Sequence, residues 1–341
     1  MMENKSSASF AAKSEYCVVP INNSSTIRHY ESIDLLAWKW STAVICSVGV
    51  AFNLLLLFIG VRFSSWRQGG GLFIAHLLFC HFVMCAAILP AAVHLISQQA
   101  TNPQSTRCHD CRYLQPFHST FTFIINWSEA LLACHRIVAI CLPLQFHRCN
   151  RKSIQRLALA FCWTLALSTS LPVIFNVNGS FRMNPLGACV IDLSTRTIQT
   201  MTSINNYCPL ALTILGTVVI TTRFMRGVPN RQRVSVNVVD APLHGNARSM
   251  TRQQKRTTKM LVMSFGLILL CQLPFYVITL TFTSLLSKYP KLLYLFRTLS
   301  AIQYAVTPVV SVELHGVFVA LLLLLPHKES PCIDTLRSVP F

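Results

Sequence analysis

The sequence predicts an all-α membrane protein: a seven-transmembrane helix bundle, N-terminus outside and C-terminus inside. Composition is the first reason. Of the 341 residues, 52% are hydrophobic and only 12% charged, whereas soluble domains average about 25% charged residues. Too few charges remain to cover a water-facing surface. Spacing is the second. Seven apolar stretches follow one another, each long enough to cross roughly 30 Å of hydrocarbon at about 1.5 Å per residue. Sidedness is the third: basic residues gather in alternate loops, and glycosylation acceptors fall on the opposite side.

The stretches run from about Trp40 to Val61, Leu72 to Ile96, Phe117 to Ile140, Leu157 to Phe175, Ile204 to Thr222, Met260 to Leu285 and Phe296 to Leu314. A single one is compatible with a buried core helix, but seven separated by polar loops are not. Residues 1–39 read as an extracellular N-terminal tail and 40–318 as the helical domain. The one long cytoplasmic loop, about 223–259, mixes Arg with Val, Asn and Gly without a period, which suits a flexible segment with helical extensions at both ends. In 319–341 the run VALLLLLP precedes a short cytoplasmic tail. That run fits an eighth helix sunk in the membrane interface or a continuation of the seventh span.

Asn4, Asn22, Asn23 and Asn178 each begin an Asn-x-Ser/Thr acceptor, and all four fall on one side of a seven-span chain. That side must be luminal for sugar to be added. Asn126 also begins such a triplet but lies within a span, so it is set aside. The opposite loops hold Arg62 and Arg67, then Arg148, Arg151, Lys152 and Arg156, then the Arg-rich run between Arg223 and Lys259. Two unrelated signals thus agree on orientation. No cleavable signal peptide is expected, because Met1 to Asn23 lacks an apolar centre, and the first span would direct insertion. The net charge of +18 raises nucleic-acid binding, but the basic residues sit between spans rather than on one polar domain, so no nucleic-acid partner is expected. No internal repeat of the kind that builds many transporters is visible.

Glu129 to Leu144 reads EALLACHRIVAICLPL. The arginine, the short apolar run and the proline resemble the cytoplasmic end of the third helix in rhodopsin-like G-protein-coupled receptors, with His135 at the acid position and Ile137 at the aromatic one. Other landmarks appear in order. Asn53 follows GVAF in the first span. The second ends at Pro90 with His81 at the aspartate position. Trp163 and Pro172 mark the fourth and Pro209 the fifth. Cys271-Gln272-Leu-Pro274 resembles the sixth helix's Cys-Trp-x-Pro, and Thr307-Pro308-Val-Val-Ser311 stands where Asn-Pro-x-x-Tyr would. The resemblance covers roughly Trp40 to Phe318 and identifies the chain as a divergent member of that family.

The resemblance implies a non-enzymatic receptor in the cell membrane. An extracellular ligand would bind in the outer half of the bundle, and helix ends carrying His135, Arg136, Gln272, Pro274, Thr307, Pro308 and Ser311 would govern activation and coupling to a heterotrimeric G protein. It also implies a disulfide between Cys111 and Cys189, pinning the second outer loop across the cavity mouth; Cys17 with Cys108 is a second possibility. Cys108-His-Asp-Cys111 alone is half a metal site, and no second ligand pair at metal spacing is found, so no metal is expected. By position, the ligand-facing residues are Gln115, His118, Asn205, Phe275, Tyr276 and Arg297. His118 stands where amine receptors use aspartate, and Ala301 where opsins carry the retinal lysine, so neither an amine nor a retinal cofactor is expected. Arg297 with His118 points to a ligand bearing an anionic group, since a buried guanidinium wants a carboxylate or phosphate; the bland alternative is Arg297 reaching for lipid headgroups.

Ionisable groups at mid-span are costly unless they face the bundle interior and find partners. Glu129 and His81 are such groups. They form an intramembrane polar pair, directly or through a water, or else Glu129 is simply a neutral hydrogen-bonded acid. The resemblance also implies that His76, Ser128 and Trp163 form the polar contact by which the family joins its second, third and fourth helices. With His81, Ile125, Gln303 and Thr307 at its positions, the family's sodium pocket looks lost. No carboxylate flanks Arg136, since His135 and Gln254 occupy the two acid positions, and this suggests a weakly held resting state with basal signalling. Two other readings stay open: a non-signalling seven-helix pseudoreceptor or scaffold, on the substituted switches, and an odorant-type receptor, on the fragment VAICLPLQF. A homo- or heterodimer also stays open. No nucleophile–base pair that would mark an enzyme stands out.

Overall fold

The computed structural model describes residues 27–62, 70–101, 108–142, 145–146, 149–175, 177, 181–183, 189–191, 195–234, 263–278 and 291–311. Among them are seven long helices, matching the number of spans expected. They are α1 (Ile27–Arg62), α2 (Gly71–Val83, Met84–Ile88 and Leu89–Thr101 in one run), α3 (Cys108–Cys141), α4 (Lys152–Ile174) and α5 (Arg196–Val234), then α6 (Met263–Ile278) and α7 (Lys291–Ser311). The candidates Asn4, Asn22, Asn23, Asn178, Cys17 and Gln254 lie outside the described residues, as do 319–341.

The bundle is apolar outside, and its interior mixes apolar residues with polar ones. On α1, Trp40, Val44 and Val48 are exposed one turn apart, while Thr42, Cys46, Asn53 and Leu56 are buried. The same reversal continues with Phe79 on α2, Leu157 and Phe161 on α4, and Leu215 and Val218 on α5, all exposed. A water-soluble bundle would put those faces inward. An apolar surface of this extent is a lipid-facing surface.

Among the described residues four helices are long and apolar enough to cross a membrane, namely α1, α2, α4 and α5, and the described part of α6 is apolar but shorter. The helices α3 and α7 are more polar for a physical reason. On its inward turns α3 carries Ser119, Thr120, Asn126, Ser128 and Glu129, all buried. Neighbours enclose it, since it packs against α2, α4, α5 and the outer hairpin, while α1 packs on α2 and α7. An enclosed helix meets little lipid and tolerates polar residues.

Pro90 leaves a mark on α2. The segment Met84–Ile88 is π-helical, and Leu89 donates its backbone N–H to Met84 O, five residues back. Proline lacks an N–H and crowds the carbonyl four residues before it, and the widened turn absorbs both defects. Between α4 and α5 lies an antiparallel hairpin, β1 (Phe181–Met183) and β2 (Cys189–Ile191), with Phe181 opposite Ile191 and Met183 opposite Cys189. It contacts α3. Nothing in the alternation of so short a stretch announces it.

The main core joins α1, α2, α3, α4 and α7 through Cys46, Leu77, Met84, Ile88, Ile124, Ile125, Ala166 and Tyr304. Gly49 lets α1 come close. A Cβ there would lie 2.7 Å from Cys85 Sγ and 3.2 Å from the Ala305 Cα.

Candidate functional site

The inward polar residues fall into three levels. At the outer level, Gln115 and His118 of α3 and Arg297 of α7 line one cleft with Ala92, Leu95, Ile96, Leu114 and Cys189. Gln115 and His118 share a face of α3, and one turn on Gln115 Nε2 donates to Ser119 Oγ at 3.2 Å. The His118 carbonyl accepts from Thr122 Oγ1 at 2.8 Å. The cleft is narrow, with room for about one water molecule. Cys189 is disulfide-bonded. The Cys111 side chain lies outside the described residues.

The other three expected ligand contacts lie elsewhere. Asn205 is 2% exposed and holds three helices together. Its Oδ1 accepts from Trp127 Nε1 at 2.8 Å, and its Nδ2 donates to Thr169 Oγ1 at 2.7 Å. Nearby, Thr120 Oγ1 donates to Ser170 Oγ at 2.7 Å. The Tyr276 hydroxyl accepts from Asn126 Nδ2 at 3.0 Å, and burial of Asn126 explains why its triplet is no sugar acceptor. Phe275 packs its ring on Phe296 and Tyr276. Helix position alone assigns these residues to the ligand, whereas in the structure they bond to or pack on neighbouring helices.

At the middle level, Glu129 and His81 are both buried, yet they do not pair directly as expected. Glu129 Oε1 accepts from Gln303 Nε2 of α7 at 3.2 Å. The His81 ring instead sits 5.5 Å from that of Tyr304, and neither of its nitrogens has a protein partner. Gln303, one turn before Thr307 on α7, reaches the carboxyl first. Position within the family marks Gln303 only as a lost sodium ligand and misses this tie. Asn53 Nδ2 donates to Gly49 O at 2.7 Å and to Tyr304 O at 3.2 Å, joining α1 to α7. The expected contact of three helices is present: Trp163 Nε1 donates to His76 Nε2 at 2.9 Å, and Ser128 Oγ lies 3.2 Å from His76 Nδ1. Gln272 is buried and Pro274 half-buried on α6, and the Thr307 hydroxyl is buried without a partner. Pro308 and Ser311 fall within α7, their side chains outside the described residues.

At the third level, at the end of α3 far from the cleft, Arg136 is half-buried and its Nε has no partner. His135 is buried, with its ring 5.5 Å from Phe73 and 5.1 Å from Phe146. No three His, Cys, Asp or Glu residues among the described ones are grouped to hold a metal ion.

A lipid-faced bundle of seven helices, with polar residues buried inside it, a cleft at one end and an arginine at the other end of α3, fits the class of seven-helix membrane receptors. The family described as "7 transmembrane receptor (rhodopsin family)" matches residues 52–310, and the chain belongs to it. It is accordingly a multi-pass plasma-membrane protein of a receptor family. An ultraviolet-sensitive opsin from Melopsittacus undulatus is 25% identical over 128 residues, 38% of this chain and 36% of the opsin. A purinoceptor from Mus musculus is 25% identical over 242 residues, 70% of this chain and 60% of the purinoceptor. The matches therefore span less than two thirds of either relative.

Proposed function

We propose that the chain transduces an extracellular ligand with an anionic group, a peptide or a small molecule, to heterotrimeric G proteins. The observation that carries this is the convergence of Gln115, His118 and Arg297 on one cleft. A guanidinium there favours a carboxylate or phosphate partner. The purinoceptor relative is named for purine ligands, and a phosphorylated purine is one class that fits. Ligand entry widens the cleft between α3 and α7 and so favours one of two helix packings. The inner ends of α3, α5 and α6 then meet the G protein. In this reading the N-terminus is outside, the sugar acceptors are occupied, Cys111 is the partner of Cys189, and activation runs through Arg136, Gln272, Pro274, Thr307, Pro308 and Ser311.

The test is a screen of acids, phosphates and short peptides with G-protein dissociation as readout. The reversal Arg297→Glu is expected to lower the potency of any anionic hit at least tenfold. Unchanged potency would remove Arg297 from the ligand site. A non-signalling pseudoreceptor is the second reading, favoured by Gln272, Thr217 and Ser311 at switch positions. Thr217 is already committed to its own helix, donating to Thr213 O at 2.8 Å.

A further inference from the structure

We propose that His135 is a positioning residue. Its ring clamps the turn carrying Phe146 and Asn150 against the cytoplasmic ends of α2 and α4, at the place where an acid would pair with the adjacent arginine. The imidazole meets Phe73 edge-on, at 68° between planes, and tilts 60° against Phe146. Both arrangements are ones aromatic pairs prefer. The slot is made by Gly70, where a Cβ would come within 3.0 Å of His135 Nδ1 and 3.1 Å of Cε1. Gly70 has φ −78° and ψ 19°, which any residue can adopt. A side chain at Gly70 would therefore press on the ring, and the constraint there is space rather than backbone freedom. On its other side Phe73 belongs to an apolar cluster with Leu132 and Leu159, so the slot has a fixed floor.

Phe146 and Asn150 are themselves tied by backbone hydrogen bonds. Phe146 N–H donates to Leu142 O at 3.0 Å, and Asn150 N–H to Phe146 O at 2.8 Å. Gln155 Nε2, at the start of α4, donates to Asn150 Oδ1 at 3.0 Å. The turn thus has two anchors, a ring from α3 and an amide from α4. Among the described residues no carboxylate holds Arg136, while the surface around it is held in shape. A preorganised surface loses less freedom when a partner docks. That last step rests on the G-protein coupling proposed above.

The test is hydrogen exchange on the full chain in detergent, read at the amides of Phe146 and Asn150. His135→Ala is expected to speed their exchange about tenfold, and Phe146→Ala to do the same at Asn150, as loss of aromatic contacts lowers local stability. Gly70→Val, which pushes the ring out, should match His135→Ala, and His135→Phe should stay close to wild type. Unchanged exchange in His135→Ala and Phe146→Ala would overturn the proposal, as would protection by His135→Asp equal to that by His135→Phe. The Phe146 variant keeps the test decisive if the buried changes fail to fold. In a G-protein nucleotide-exchange assay, His135→Ala should lose activity several-fold while His135→Phe keeps it. A wild type that drives no nucleotide exchange would defeat the coupling reading alone, since the exchange pattern still decides the clamp.

Discussion

Asn205→Leu separates a structural from a ligand-binding role at one position. The leucine removes the acceptor for Trp127 Nε1 and the donor to Thr169 Oγ1. All three side chains are at most 9% exposed, so water does not replace what is lost. Hydrogen bonds between membrane helices average about 0.6 kcal/mol and reach about 1.7 kcal/mol. Thr169 can turn its hydroxyl to a carbonyl of its own helix, but the indole N–H stays buried without an acceptor, at a cost of about 1–3 kcal/mol. The sum is about 2–4 kcal/mol. At about 2 °C per kcal/mol for a long chain, the melting temperature in detergent should fall by roughly 4–8 °C. Trp127→Phe should cost about 1 kcal/mol, and the double variant less than the sum of the singles, because the two share one bond. Additive single effects, or a melting temperature within about 1 °C of wild type, would refute the tie between α3, α4 and α5.

Two further substitutions probe the rest of the interior. Glu129→Gln should be nearly neutral in thermal unfolding, because Gln303 can donate to either carbonyl. Glu129→Leu leaves the Gln303 amide buried and unpartnered and should cost about 1–3 kcal/mol; equal costs for the two would show that the bond to Gln303 carries no weight. Gly49→Leu should reduce surface amounts and cost about 1–3 kcal/mol by overpacking against Cys85 and Ala305. Gly266→Leu is its control, since nothing lies within 4 Å of a Cβ there, and similar losses at both sites would discard the close approach of α1 as the reason.

The helices are legible because a membrane span needs a long apolar run, and seven such runs survive any local ambiguity. The His76–Ser128–Trp163 link is legible through the family resemblance, which places these residues where the family joins its second, third and fourth helices. Helix faces are harder. Spacing along α5 and α6 places Asn205, Phe275 and Tyr276 inward, but inward residues divide between a ligand cleft and neighbouring helices, and only packing decides which. Spacing likewise brings Glu129 and His81 into the same layer, whereas Gln303, on a helix far away in the chain, takes the carboxyl. In the sequence His135 looks like a missing acid. Its role as a packed ring depends on Gly70 and Phe146, which no motif connects.

Signalling by this divergent bundle depends above all on whether Arg136 still transmits. The direct measurement is basal G-protein nucleotide exchange, at matched surface expression, for wild type and Arg136→Ala. Wild type is expected to exceed the variant clearly, because no carboxylate flanks the arginine at His135 to hold it back. Equal rates in the two would mean that the arginine transmits nothing, and the chain would then be a receptor scaffold without the signal.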